Sequence, residues 1–201
     1  MPDTGKKERN MKNIILASAS PRRKALLEQI GLSFDVIIAK VSESTNSVNP
    51  EDVVKDLAYQ KAKKVFESHR DSIVIGADTV VYNDGKKLGK PTGYDNWKEM
   101  LRSLSGHRHY VYTGVCVLWR GEDNNTHILS FAETTKVMVH ELTDEDINEY
   151  ILKGEAIDKA GGYGIQGTFA RFIDSIEGDY NNVVGLPVAR LYQEMKRLEL
   201  L

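Results

Sequence analysis

Residues 13–34 read NIILASASPRRKALLEQIGLSF. The apolar run Ile14, Ile15, Leu16 predicts a strand, which the short polar segment Ser18-Ala19-Ser20 interrupts. Ser20 suits an N-cap because its hydroxyl can accept from a backbone N–H of the first turn. Pro21 falls at the first helical position, where a missing N–H costs nothing. Leu26, Leu27 and Ile30 follow at helical spacing, and Gly31 supplies the stop. The stretch reads as strand, tight loop, helix.

The first turn of that helix carries Arg22, Arg23 and Lys24 at the positive end of the helix dipole. Each cation there is disfavoured by roughly 0.3–1 kcal/mol. Unpaired backbone N–H groups point the same way. An anion seated at this end would relieve both, and phosphate fits best. A solvated basic turn is the other reading. Neither glycine-rich phosphate-loop pattern is present to choose between them.

The 201 residues suit one ordinary domain or two small lobes around a real core. A hydrophobic fraction of 41% with 28% charged residues belongs to a globular chain. The net charge of −2 opposes a dedicated nucleic-acid binder, so no nucleic-acid partner is expected. No apolar run approaches the ~20 residues of a membrane span, and no membrane partner is expected. Residues 1–12, MPDTGKKERNMK, lack the apolar core of a signal peptide and are expected to fray. The single cysteine, Cys116, cannot form an internal disulfide, which predicts a reducing, cytoplasmic setting. The five histidines show no zinc-ligand spacing beyond the alternate pair His107 and His109, and are read as non-metal.

Further along, residues 34–39 (FDVIIA) read as a second strand and 41–49 as a polar loop, in which Glu43 alone would be a solvated carboxylate. Asn49-Pro50-Glu51-Asp52 is a strong helix start, followed by the apolar stripe Val54, Leu57, Ala58, Ala62 and Val65. Lys61 lies in register with that stripe. It either snorkels outward or reaches a buried anion. Residues 72–82 (SIVIGADTVVY) form a strand-like run broken by Asp78, a carboxylate costly to bury unless paired or metal-bound. Val80 and Val81 resume the strand at once, which favours a functional Asp78 over a turn cap. Asn83-Asp84-Gly85 signals a hairpin whose return brings Lys90 back toward Asp78.

Asp95 is expected to cap a helix carrying Trp97, Met100, Leu101 and Leu104, and residues 109–119 and 130–139 to pair as antiparallel strands. A short helix is expected over 143–153, strands near 169–176, and a closing helix from Pro187. Between them, DKAGGYGIQG (158–167) makes either a plain turn or a loop whose backbone can approach a ligand closely. In the second case Gln166 can read a base edge with its paired donor and acceptor.

Four separated pieces, SASPRR (18–23), GADT (76–79), GKP (89–91) and DKAGGYGIQG with VVGLP (158–187), together resemble the Maf family of nucleoside triphosphate pyrophosphatases, from about residue 13 to the C-terminus. The resemblance implies an α/β fold similar to inosine triphosphate pyrophosphatase: a long mixed twisted sheet with flanking helices and a nucleotide cleft between two lobes, within a single domain over 13–201. It implies hydrolysis between the α and β phosphates of a nucleoside triphosphate, with a divalent cation (Mg2+ or Mn2+) as cofactor. Asp78 would be the catalytic proton acceptor. Ser20, Arg22, Arg23, Lys61 and Lys90 would hold phosphates, and Glu43 with Asp78 would face the metal. The family's VDE segment reads Val41-Ser42-Glu43 here, without the middle acid.

Arg22, Thr79 and Gln166 resemble the branch acting on dTTP and UTP, whereas the 7-methyl-GTP branch typically carries tryptophan, glutamine and glutamate there. A nucleotide-pool sanitising role follows, with modified pyrimidine triphosphates as further substrates. Family members are often dimers, so a homodimer is an option. The alternative enzyme reading is 7-methyl-GTP hydrolysis, and the reading of a different class is a non-catalytic nucleotide-binding module.

Overall fold

In the computed structural model, which describes residues 12–201, β1 (Ile14–Leu16) runs into α1 (Pro21–Gln29), with the Ser20 hydroxyl accepting from Arg23 N as its cap. The frayed tail expected over 1–12 lies, Lys12 apart, outside the described residues. After β2 (Asp35–Val36) come α2 (Pro50–Phe66), capped by Asn49, and the long strand β3 (Ile73–Asn83). Asp84 and Gly85, both at positive φ (46° and 71°), turn β3 into β4 (Lys86–Leu88), the two-residue hairpin that Asn-Asp-Gly predicts. Then follow α3 (Tyr94–Leu104), β5 (Arg108–Arg120), β6 (Thr126–Val139), α4 (Asp144–Leu152), β7 (Ile173–Glu177), α5 (Tyr180–Val184) and α6 (Val188–Arg197).

The strands form one mixed seven-stranded sheet in the order β2-β1-β3-β5-β6-β7, with β4 also paired to β3. β1 is parallel to β2 and β3, and the rest of the sheet is antiparallel. The α/β expectation, a long mixed sheet with flanking helices, therefore holds.

Side-chain alternation along β3 assigns its two faces. Val74 and Val80 pack with Ala58, Ala62, Val54 and Leu57 of α2. Ile73, Ile75 and Ala77 point the other way, into the larger core beneath α1, α3, α4, α5 and α6. A strand covered on both faces reads as a continuous apolar run, which is why 72–82 looked as it did. α2 crosses the sheet closely enough that two glycines are required. A Cβ at Gly76 would meet the backbone N of Ala62 at 2.7 Å, and one at Gly114 would meet Lys55 N at 2.7 Å. Both contacts are with backbone, which cannot move aside without moving the helix.

Several local expectations shift. The second strand keeps only Asp35–Val36, because its sole partner β1 is three residues long; Ile37 N adds one bond to Leu16 O (3.1 Å), and the chain then leaves the sheet. Gly93, not Asp95, is the N-cap of α3, and Asp95 sits in its first turn. Residues 168–172 form a 3-10 helix before β7, and α5 was not foreseen.

Candidate active site

One gap in the sheet organises the site. β1 pairs with β3 only over Ile73 to Ile75, and β4 pairs with the same edge only from Val81 to Asn83. β5 covers the opposite edge without a break from Val74 to Tyr82. Between the two short partners, residues 76–80 of β3 present an unpaired edge, and Asp78 stands at its centre. A cavity of about 990 Å³ opens there. Six cationic and four acidic side chains line it, although the whole chain carries a net charge of −2. The imbalance suits a polyanion.

Asp78 faces α2, as its even place in the strand requires, and is buried at 7% exposure. Lys61 does not snorkel. Its Nζ lies 2.5 Å from Asp78 Oδ1 and 2.9 Å from Glu43 Oε1, so one partly buried ammonium joins the strand carboxylate to the loop carboxylate. Burial opposes ionisation of Glu43. The Lys61 hydrogen bond and charge, with Lys90 and Arg23 behind them, outweigh it and hold the Glu43 pKa below its ordinary value. Glu43 is therefore drawn out of its polar loop and into the site.

On the other side of β3, Arg23 is almost wholly buried and its guanidinium is held by three hydrogen bonds. Nε donates to Gly185 O (2.8 Å), Nη1 to Ser18 Oγ (3.2 Å) and Nη2 to Thr79 Oγ1 (3.0 Å). Burial lowers its pKa, the Asp78 charge pushes it back up, and Arg22 lowers it further. Arg22 is half-buried, and its Nε donates to Val184 O at 3.4 Å. Its charge is felt by Asp158 on the far wall, whose pKa is lowered first by the hydrogen bond from Lys159 and, against a burial penalty, by the Lys159 and Arg22 charges. Ser20, Lys90, Thr79 and Gln166 also line the cavity. Lys90 and Gln166 make no hydrogen bond among the described residues.

All nine residues singled out from the sequence thus reach one cavity. Several others that shape it were missed. Ser18 accepts from both Ser20 N (3.2 Å) and Arg23. Tyr163 lines the wall and shares a 2.7 Å hydrogen bond with His109 Nε2, beneath the glycine-rich loop. Trp97 Nε1 donates to Gly162 O at 2.6 Å, and Gly164 N donates to Tyr150 Oη at 3.1 Å, so aromatic side chains hold that loop from below. Thr113 and Asn182, both fully buried, tie β5 to α5. The one available signal was polarity at apolar positions: Thr113 interrupts the inward face of β5 between Val111 and Val115.

Among the described residues no group of three or more His, Cys, Asp or Glu is arranged to hold a metal. Cys116 is buried beneath α2, where desolvation pushes its thiol up to about 12. No described helix is long and apolar enough to cross a membrane.

A family model described as Maf-like protein matches residues 13–198. The chain belongs to the Maf family. Among its relatives, the dTTP/UTP pyrophosphatase of Bacillus cereus (strain G9842) is 47% identical, over 94% of this chain and 97% of that one. The dTTP/UTP pyrophosphatase of Agathobacter rectalis is 50% identical, over 94% and 98%. Of solved structures, the Staphylococcus aureus Ham1 protein aligns with 64% of this Maf chain and 72% of its own, at a TM-score of 0.45 and 17% identity.

Proposed function

We propose that this Maf protein hydrolyses dTTP and UTP to the nucleoside monophosphate and pyrophosphate, removing these or modified pyrimidine triphosphates from a cytoplasmic nucleotide pool. The observation that carries the reading is the buried Asp78 joined through Lys61 to Glu43 at the sheet gap, with the cationic start of α1 and Lys90 in the same cavity. Relatives of near-half identity and near-full coverage that bear the name dTTP/UTP pyrophosphatase support the substrate class.

In this reading the triphosphate lies against the first turn of α1, where the positive end of the helix dipole, Ser20, Arg22 and Arg23 meet its charge and Lys90 approaches from the hairpin. Preorganised donors of this kind stabilise the charge that builds on the departing pyrophosphate. Asp78 takes the proton of the attacking water, and Lys61 holds its carboxylate in one orientation. Gln166 offers one donor and one acceptor to the imide edge of thymine or uracil.

The carboxylates also suit a divalent cation such as Mg2+ or Mn2+. Glu43 and Asp78 are brought together on the Lys61 ammonium, at 2.9 and 2.5 Å, and such cations commonly take one or two carboxylates and fill the remaining shell with substrate phosphate and water. When bound there, the cation would supply charge neutralisation at the scissile phosphate.

The test is a hydrolysis panel of the common nucleoside triphosphates and 7-methyl-GTP with Mg2+ or Mn2+, quantifying monophosphate, pyrophosphate and orthophosphate. Selective release of monophosphate and pyrophosphate from dTTP and UTP is expected. Orthophosphate release would overturn the bond assignment, preference for 7-methyl-GTP would overturn the branch, and binding without turnover would restore the binding module.

A further inference from the structure

The Arg23 guanidinium is held by more than its immediate neighbours. Arg23 Nη2 donates to Thr79 Oγ1 (3.0 Å), and Thr79 Oγ1 lies 2.9 Å from Thr113 Oγ1. Thr113 Oγ1 donates in turn to the backbone carbonyl of Asn182 (3.0 Å). The chain crosses from α1 through β3 and β5 to α5.

Its proton order is determined by chemistry alone. A carbonyl oxygen can only accept, so the single hydroxyl proton of Thr113 lies toward Asn182 O. Two hydroxyl oxygens at 2.9 Å need one proton between them, and Thr113 has none left, so Thr79 donates to Thr113. The alternative acceptor for Thr79, Gly185 O, is 3.5 Å away. Thr79 then has a lone pair turned toward Arg23. Every link runs one way, Arg23 to Thr79 to Thr113 to Asn182, the arrangement in which successive hydrogen bonds polarise one another.

The far end is itself anchored. Asn182 Nδ2 donates to Val111 O (3.0 Å) and Thr135 Oγ1 (2.9 Å), and Thr135 Oγ1 donates to Asp179 O (2.9 Å). α5 also leads into Gly185, whose carbonyl receives Arg23 Nε. Thr113 is fully buried and lies outside the cavity wall, so it touches no ligand.

We infer that Thr113 is a positioning residue for the triphosphate site, holding the Arg23 guanidinium through Thr79. The inference rests on the reading of Arg23 as a phosphate contact. It also gives Thr79 an indirect part in substrate choice: its only proton is committed to Thr113, and it acts on the ligand by setting where Arg23 stands.

Thr113→Val keeps the shape and deletes the hydroxyl. KM for UTP is expected to rise by several-fold, up to about tenfold, the scale of one lost hydrogen bond between neutral groups, with a smaller change in kcat. Thr113→Ser, which restores the hydroxyl, is expected to recover most of that loss. In an Arg23→Lys background the effect of Thr113→Val should largely vanish, because both changes break one unit. A folded Thr113→Val protein with unmoved KM, or losses that multiply independently in the double variant, overturns the proposal.

If the valine variant does not fold, wild-type protein decides. The Thr79 and Thr113 hydroxyl protons should exchange slowly with water by NMR, and fast exchange of either refutes the chain. Wild type without UTP turnover refutes the function reading and this proposal with it, whereas active wild type with an unmoved variant KM refutes only the proposal.

Discussion

Replacing Lys61 with methionine preserves the length of the side chain and removes the charge that Asp78 and Glu43 share. Asp78 has 10% side-chain exposure and Glu43 54%, so the two carboxylates are affected unequally. Leaving a buried carboxylate without its partner typically costs about 3–5 kcal/mol. Because the cavity admits some water to Asp78, the low end applies. The half-exposed Glu43 adds at most about 1 kcal/mol, solvent screening taking the rest. A loss of about 3 kcal/mol, with a urea m-value of about 2 kcal/mol/M for a chain of this size, moves the unfolding midpoint down by about 1.5 M. Urea titration followed by tryptophan fluorescence measures it. Adding Asp78→Asn should then restore at least half of the loss, since the second change removes the charge that the first left uncompensated. A Lys61→Met protein within about 0.5 kcal/mol of wild type, or a double variant no more stable than the single, would refute a buried ion pair at this position.

Asp78→Asn alone should lower kcat for UTP by at least about a hundredfold while a non-hydrolysable α,β-methylene analogue still binds in calorimetry; retained turnover removes Asp78 from its role. His109, buried beneath the glycine-rich loop, has its pKa pushed by desolvation from 6.5 down to about 4, so the native ring stays neutral where the unfolded chain takes up a proton. Between those values the unfolded state binds more protons. Stability is therefore full above pH 6.5 and falls as pH drops toward 4, by up to about 3 kcal/mol from this residue. Chemical denaturation across that range should show the slope, and His109→Gln should flatten it; parallel wild-type and variant curves would contradict the assignment. Cys116, held at about 12, should label with a thiol reagent at pH 8 about a thousandfold more slowly in the native protein than in urea, and rapid native labelling would mean that the cover under α2 opens readily.

Much of the chain was legible because its signals are local. Ser20-Pro21 and Asn49-Pro50 start helices through their own backbone and side-chain chemistry, and Asn83-Asp84-Gly85 turns a hairpin, whatever lies nearby. Burial on both faces left β3 readable as an apolar run, and one carboxylate inside such a run singled out Asp78 before any partner was known. The motifs carried the family, since they record residue types in order along the chain.

Partnership was not legible. Lys61 sits seventeen residues from Asp78 and at the edge of a helical stripe, where local rules allow it to turn to solvent or inward. Only the close approach of α2 over Gly76 and Gly114 sends it to the carboxylate. Glu43 is one acid in a polar loop until that same ammonium draws it in. The gap at residues 76–80 exists because β1 stops and β4 starts at particular registers, a relation between three segments that none of them encodes alone. The proton-ordered path from Arg23 to Asn182 joins residues 159 positions apart, and Thr113 within it looks like any strand threonine. Residue types and spacing determined which elements form and which chemistry is present. Which charge meets which, and where the sheet opens, was decided by tertiary packing, because desolvation and hydrogen-bond geometry depend on neighbours that are distant along the chain.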